Sequence, residues 1–249
     1  MRVVCLMPIH GRLPITIETV QLLKRQTKPF YHIVLIGSDL DDEQILMHID
    51  PDVDYVHYPN NPLSAKIQFG LDYVRTLDPD AVLLTGSDSW LCPKWNAVMS
   101  RMIANGFHVV GQSCLHVCYI APHEAPKVLL SSYKTRPDPI GAGRVISRYA
   151  LDALDWQLYP PGMNKGLDWA SYQRLKTVVP ETHITTIQEC TFPEIFEIKS
   201  PLWDTITSFE QISCSSRIAR IPMGFSELCR TFPHAQKIIK RLVPEVVLS

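Results

Sequence analysis

The stretch "VLLTGSDSWLCPKW" (82–95) runs through apolar residues and then sets Asp88 between Ser87 and Ser89, one step after Gly86. A carboxylate at the end of a hydrophobic strand suits a hard divalent cation, which takes oxygen ligands. Small neighbours let a phosphate approach the backbone closely, and Ser87 and Ser89 add hydroxyls. An aspartate closing a turn is the local alternative. Two other runs end in the same manner. "HIVLIGSD" (32–39) closes on Gly37, Ser38 and Asp39, and "RVVCLMP" (2–8) leads into a loop holding Pro8, His10 and Arg12. A fourth grouping, Cys114, His116, Cys118 and His123, has zinc-binding residue types. Its first three members alternate along one strand face, whereas structural zinc sites favour ligand pairs on tight turns. A half-buried strand is the preferred reading there.

The elements that must position these residues follow a strand-then-helix rhythm. Apolar or β-rich runs at 2–8, 32–39, 54–59 and 81–88 alternate with helical patterns at 15–26, 41–49 and 63–77. Ile67, Leu71 and Val74 recur at helical spacing, and the acidic start of 41–49 suits a helix amino terminus. Such alternation predicts an α/β fold with a mostly parallel open sheet. Ligands of open α/β sheets bind outside the carboxyl ends of the strands, and three of the four strand ends carry the candidate residues. The second half is less regular. Residues 108–120 read as one strand or two broken at Gly111, 136–154 as a proline-rich loop and glycine turn leading into a helix, and 166–179 as a helix. A threonine- and isoleucine-rich run and a loop with Pro193 and Pro201 follow, and the tail reads as one or two helices.

At 249 residues the chain can bury a substantial core. A net charge of −1 from 24 basic and 25 acidic residues argues against nucleic acid as a partner. The apolar run near the start is too short to span a bilayer and lacks the layout of a signal peptide. Seven scattered cysteines are the usage of a reducing compartment. The expectation is a soluble, cytoplasmic chain without a transmembrane segment.

In order and spacing these motifs resemble the family 2-like glycosyltransferases with the GT-A fold, over roughly residues 1–180. "CLMPIHGR" resembles the family's opening strand and proline-containing loop, and Asp39 stands where the family's second strand places an aspartate against the nucleotide base. "YPNNPLSAKIQFGLDYV" is similar to its asparagine-rich turn and helix, with Lys66 in place of the usual arginine or asparagine. Gly86-Ser87-Asp88 aligns with the Asp-x-Asp metal signature and keeps only its second aspartate. "LDWASYQRL" keeps Asp168 and Arg174, with Leu167 in place of the first of two acids.

The resemblance implies a single GT-A-like domain over 1–200, divided into a nucleotide-sugar-binding half (1–95) and an acceptor-binding half (96–200). A helical extension, 201–249, would pack on it. It implies sugar transfer from a UDP- or GDP-linked donor to the hydroxyl of a glycan or other acceptor, assisted by Mn²⁺ or Mg²⁺. Pro8, His10, Arg12, Asp39, Lys66, Ser87 and Asp88 would hold the donor, and Asp88 with His183 the metal. Asp168 would be the general base, since an acceptor hydroxyl needs one, with Asp155 and Glu181 as the alternatives. A base on the face opposite the leaving group makes the reaction inverting. Gly141, Gly143 and Trp169 would contact the donor sugar or the acceptor. Two other readings compete: a nucleotidyltransferase, though "PIHGRLP" has one glycine where that class needs a glycine-rich loop, and a non-catalytic nucleotide- or carbohydrate-binding module.

Overall fold

The strands at 2–8, 32–39 and 81–88 lack the polar alternation of a solvent-facing sheet, and both of their faces are in fact covered. The computed structural model describes residues 1–133, 138–187, 195–203, 208–215 and 218–248. Cys190, Pro193 and the first two residues of the segment 136–154, Arg136 and Pro137, lie outside these. In chain order the elements are β1 (Val3–Pro8), α1 (Leu13–Lys24), β2 (His32–Gly37), α2 (Leu40–Ile49), β3 (Asp54–His57), α3 (Leu63–Thr76), β4 (Ala81–Leu84), β5 (Ser89–Leu91) and α4 (Trp95–Ala104). The second half adds β6 (Val109–Gln112), β7 (Cys114–Tyr119), β8 (Lys127–Tyr133), β9 (Arg144–Ser147), α5 (Arg148–Ala153), α6 (Leu167–Lys176), β10 (Ile184–Ile187) and β11 (Ile195–Lys199). The chain closes with α7 (Phe209–Cys214), β12 (Ile218–Met223), α8 (Phe225–Thr231) and α9 (Ala235–Leu242).

The main sheet has the order β10-β6-β9-β4-β1-β2-β3. All of its neighbours pair in parallel except β9, which runs antiparallel to β4 and β6. Alternate strand residues feed two cores. Val3, Cys5, Met7, Leu35 and Leu83 pack with Val20 and Leu23 of α1 and Met99 of α4. Val4, Leu6, Val34, Ile36 and Val82 pack with Ile67, Leu71 and Val74 of α3 and Leu175 of α6.

Two elements differ from their sequence reading. Residues 144–147, expected within a helix, form β9, because Val145 and Ile146 are β-branched and each faces one of the two cores. The helix begins only after Ser147, whose hydroxyl caps α5 by accepting from Ala150 N at 3.3 Å. The run 108–120 breaks after Gln112, and its halves join different sheets.

The second sheet, β12-β8-β7-β11-β5, carries a third core. Trp90, Cys118, Phe196 and Ile198 pack there against Leu228 of α8, Phe232, and Ile238 and Ile239 of α9. The C-terminal residues therefore supply a strand as well as helices. No helix among the described residues is long and apolar enough to cross a membrane.

Candidate active site

The reversed direction of β9 puts the site together. In parallel strands only carboxyl ends reach the binding edge, but an antiparallel strand brings its amino end there. Arg144 stands opposite Leu84, so the preceding loop, Gly141–Gly143, meets the turn that holds Asp88. Gly143 N donates to Leu84 O at 2.8 Å, and Trp95 Nε1 donates to Gly143 O at 3.0 Å. Gly143 has φ +71°, and a Cβ there would lie 2.6 Å from Ile195 Cδ1, so only glycine fits. Its part is to shape the wall. The contacting surface is the neighbouring Gly141 and Ala142, which line a cavity of about 480 Å³ together with Pro8, His10, Arg12, Asp88 and Asp168.

Asp88 sits in a turn in which Ser89 N donates to Gly86 O at 3.1 Å. The antiparallel register of β5 and β11 pairs Ser89 with Glu197, and Ile198 N donates to Asp88 O at 2.9 Å. Along β11, Phe196 and Ile198 enter the third core. Glu197 and Lys199, one residue out of phase, face the cavity. Asp88 Oδ2 accepts from Lys199 Nζ at 2.9 Å and forms an ion pair with Arg12 Nη1 at 2.9 Å. Lys199 also reaches Glu197 Oε2 at 2.9 Å. Burial alone would raise the Asp88 pKa, but the Lys199 ammonium and Arg12 guanidinium outweigh it and hold the carboxyl below its ordinary range. Burial likewise pulls the Lys199 amine down, and Asp88 and Glu197 more than reverse that. Side-chain atoms without a hydrogen-bond partner gather on residues that line the cavity: Thr85 Oγ1, Ser89 Oγ and Arg12 Nε. Each such buried group costs about 1–3 kcal/mol, and a cluster of them marks a place shaped for something besides stability.

Asp168, in the first turn of α6, lines the same cavity. A Cβ on Gly141 would fall 1.9 Å from Asp168 Oδ1, so the missing side chain leaves room for the carboxylate. Arg144, fully buried, holds the helix start by donating to Asp168 O at 3.2 Å and to Ser171 Oγ at 2.8 Å, and it also donates to Pro139 O. The loop before α6 is tied to α3, with Ser64 N donating to Met163 O at 2.9 Å and Leu63 N to Asn164 Oδ1 at 2.8 Å. Asp155 and Glu181 are paired instead, with Arg75 at 3.0 Å and with Lys176 respectively, and neither lines the cavity.

Lys66 lies beneath the wall, outside the cavity lining. Its buried ammonium donates to Ile9 O at 2.7 Å and Asn60 Oδ1 at 3.1 Å, bracing the Pro8–Arg12 loop from behind. Burial lowers its pKa to about 8. The folded chain therefore binds fewer protons at Lys66 than the unfolded chain between pH about 8 and about 10.4, so the stability contribution rises with pH across that window. Urea unfolding at stepped pH should show the parent gaining on a Lys66→Met variant between these values. A constant difference would reject the burial effect.

The remaining candidates are dispersed. Ser87 is fully buried and turned from the cavity, and its carbonyl accepts from Thr19 Oγ1 at 2.8 Å. Asp39 is exposed and caps α2 by accepting from Asp41 N at 2.9 Å. Trp169 is 42% exposed on α6, tilted against Tyr172. His183 precedes β10, and β10 runs parallel to β6. It therefore sits at the amino-terminal edge, beside His108, and strand direction removes it from any site with Asp88. Cys114, His116 and Cys118 form a strand, with Cys118 in the third core and His116 stacked on Phe196. Lys199 and Glu197 escaped the sequence reading. Their only signal is the alternation in "IFEIK".

No family model and no curated protein sequence matches the chain. Among solved structures, S. aureus TarS 1–349 superposes with a TM-score of 0.57 at 11% identity, over 80% of this chain and 60% of that one. The mannosyltransferase PcManGT from Pyrobaculum calidifontis, in complex with GDP-Man and Mn²⁺, gives 0.53 at 14% identity, over 80% and 56%. TarS 1–349 in complex with UDP-GlcNAc gives 0.53 at 12%, over 86% and 61%. The chain has the GT-A fold. It spans 56–61% of the length of these neighbours. The Mn²⁺ in one of them can be set against the residues here. A divalent cation needs several oxygen ligands, yet the cavity's Asp88 and Glu197 already share the Lys199 ammonium. Among the described residues no group of three His, Cys, Asp or Glu could hold a metal ion. The expected Mn²⁺ or Mg²⁺ at Asp88 and His183 thus meets a place filled by the protein's own cation, and the donor set does not fit a metal held by the protein.

Proposed function

We propose that the chain is an inverting glycosyltransferase that moves a sugar from a nucleoside-diphosphate sugar to an acceptor hydroxyl. One observation carries the reading: a paired carboxylate–cation cluster and a carboxylate on a helix start, Asp168, line the same cavity at the carboxyl edge of a GT-A sheet. As the glycosidic bond breaks, negative charge grows on the departing diphosphate. Arg12 and Lys199 offer charge-assisted hydrogen bonds to it. Asp168 takes the acceptor proton on the face opposite the leaving group, which makes the transfer inverting.

The neighbours' UDP-GlcNAc and GDP-Man support a UDP- or GDP-linked donor. Asp39 keeps one carboxylate oxygen for its cap and offers the other to a base imide. Trp169, exposed beside Asp168, offers an aromatic face to a sugar acceptor. Residues 1–95 supply most of the donor wall, 96–200 the acceptor side, and 201–249 the packing behind β5 and β11. Buried free thiols at Cys5 and Cys118 support a cytoplasmic location.

The test is incubation with UDP- and GDP-sugars and a panel of sugar acceptors, reading the nucleotide released and the anomeric configuration of the product. Nucleoside diphosphate with inversion is expected. Pyrophosphate would establish a nucleotidyltransferase instead, and tight binding with no turnover a binding module.

A further inference from the structure

The Lys199 ammonium lies between two carboxylates that face the cavity, 2.9 Å from each. Backbone pairing brings it there. The Ser89–Glu197 register and the bond from Ile198 N to Asp88 O fix Lys199 beside the aspartate. Its side chain is 7% exposed and that of Arg12 is 12% exposed, so both cations act where water screens them weakly.

An ammonium has three N–H donors. Two are used by Asp88 and Glu197, which leaves one for an oxygen in the cavity. A guanidinium has five, and Arg12 Nε has no partner. Both residues can only donate, and they suit a ligand made of anionic acceptors. The cluster holds two cations and two carboxylates. These cancel in charge, and a divalent cation added there would stand against Arg12 and Lys199, whereas a diphosphate would meet N–H donors that the two carboxylates leave unused.

We propose that Lys199, with Arg12, stands in for a divalent cation, so that the chain binds a nucleoside diphosphate without metal. The proposal rests on the glycosyltransferase reading above and assigns the diphosphate subsite within it. Asp88 is then a positioning residue that aims the two cations and is no metal ligand.

Calorimetry of UDP and of GDP binding, in EDTA and in Mn²⁺, tests it on the parent, Lys199→Ala and Lys199→Arg. The parent should bind its nucleotide with equal affinity in both buffers. Lys199→Ala should weaken binding about 10- to 100-fold in EDTA, the weight of one charged hydrogen bond. Mn²⁺ should restore it, because Asp88 and Glu197 are then free to take a metal. Lys199→Arg should keep metal-free binding. Two results would overturn the assignment and leave sugar transfer standing: a parent that binds only with Mn²⁺, or a Lys199→Ala variant equal to the parent in EDTA. Should the alanine variant fail to fold, the parent's own comparison of the two buffers still decides. A parent that binds neither nucleotide in either buffer would overturn the donor reading, and this assignment with it.

Discussion

Asp168→Asn is expected to lower single-turnover transfer by roughly 10²–10⁴-fold, the usual weight of a positioned general base, with nucleoside diphosphate affinity unchanged. The asparagine keeps the size of the side chain and an oxygen beside Gly141, and loses only the capacity to accept a proton. The backbone carbonyl that Arg144 holds is untouched by the change. The donor cations stand on β11 and on the loop after β1, so binding and chemistry separate cleanly. Stopped-flow transfer alongside calorimetry on the same preparations measures both. Parental turnover would remove Asp168 from the mechanism, and Asp155 and Glu181 could not replace it from their positions off the cavity.

Trp90→Ala is expected to destabilise the fold by about 3–5 kcal/mol, the range for truncating a buried aromatic. In a chain of this length that is a fall in Tm of roughly 6–20 °C. Trp90 is fully buried and meets Phe232 edge-on with ring centroids 5.5 Å apart. It is the rivet between β5 and the C-terminal helices. Its indole nitrogen has no hydrogen-bond partner, so Trp90→Phe forfeits volume only and should cost less than the alanine change. Thermal unfolding of both variants measures the ordering. Equal Tm values would show that the third core collapses around the gap and that Trp90 is not its keystone.

Much of the site can be read along the chain because its pieces sit at strand ends. Pro8, His10, Arg12 and Asp88 follow apolar runs whose period is unambiguous, and the parallel rule sends those ends to one edge. Asp168 required the family resemblance as well, since an acidic residue in the first turn of a helix is common for local reasons. What stayed hidden depends on partners far away in sequence. Lys199 bonds to Asp88 across 111 positions, and neither residue's neighbours reveal that pairing. The direction of β9 was equally hidden, because "RVISRYALDAL" carries a strand and a helix with no breaker between them. His183 failed for a related reason: periodicity finds a strand but gives neither its place nor its direction in the sheet. Lys66 and Ser87 lie on the expected elements, yet their side chains turn into the support behind the cavity.

The alternation along β11 has a consequence for how the chain can change over generations. Phe196 and Ile198 face the apolar core while Glu197 and Lys199 face the cavity. A substitution at any one of these positions alters a single face. Loss or gain of one residue between Ile195 and Lys199 would exchange the two faces, driving a lysine–glutamate pair among Trp90 and Phe232 and turning an aromatic ring toward the donor. Homologues should therefore vary in the composition of this segment while keeping its length, and a library of single-codon deletions should be depleted here more sharply than a library of substitutions.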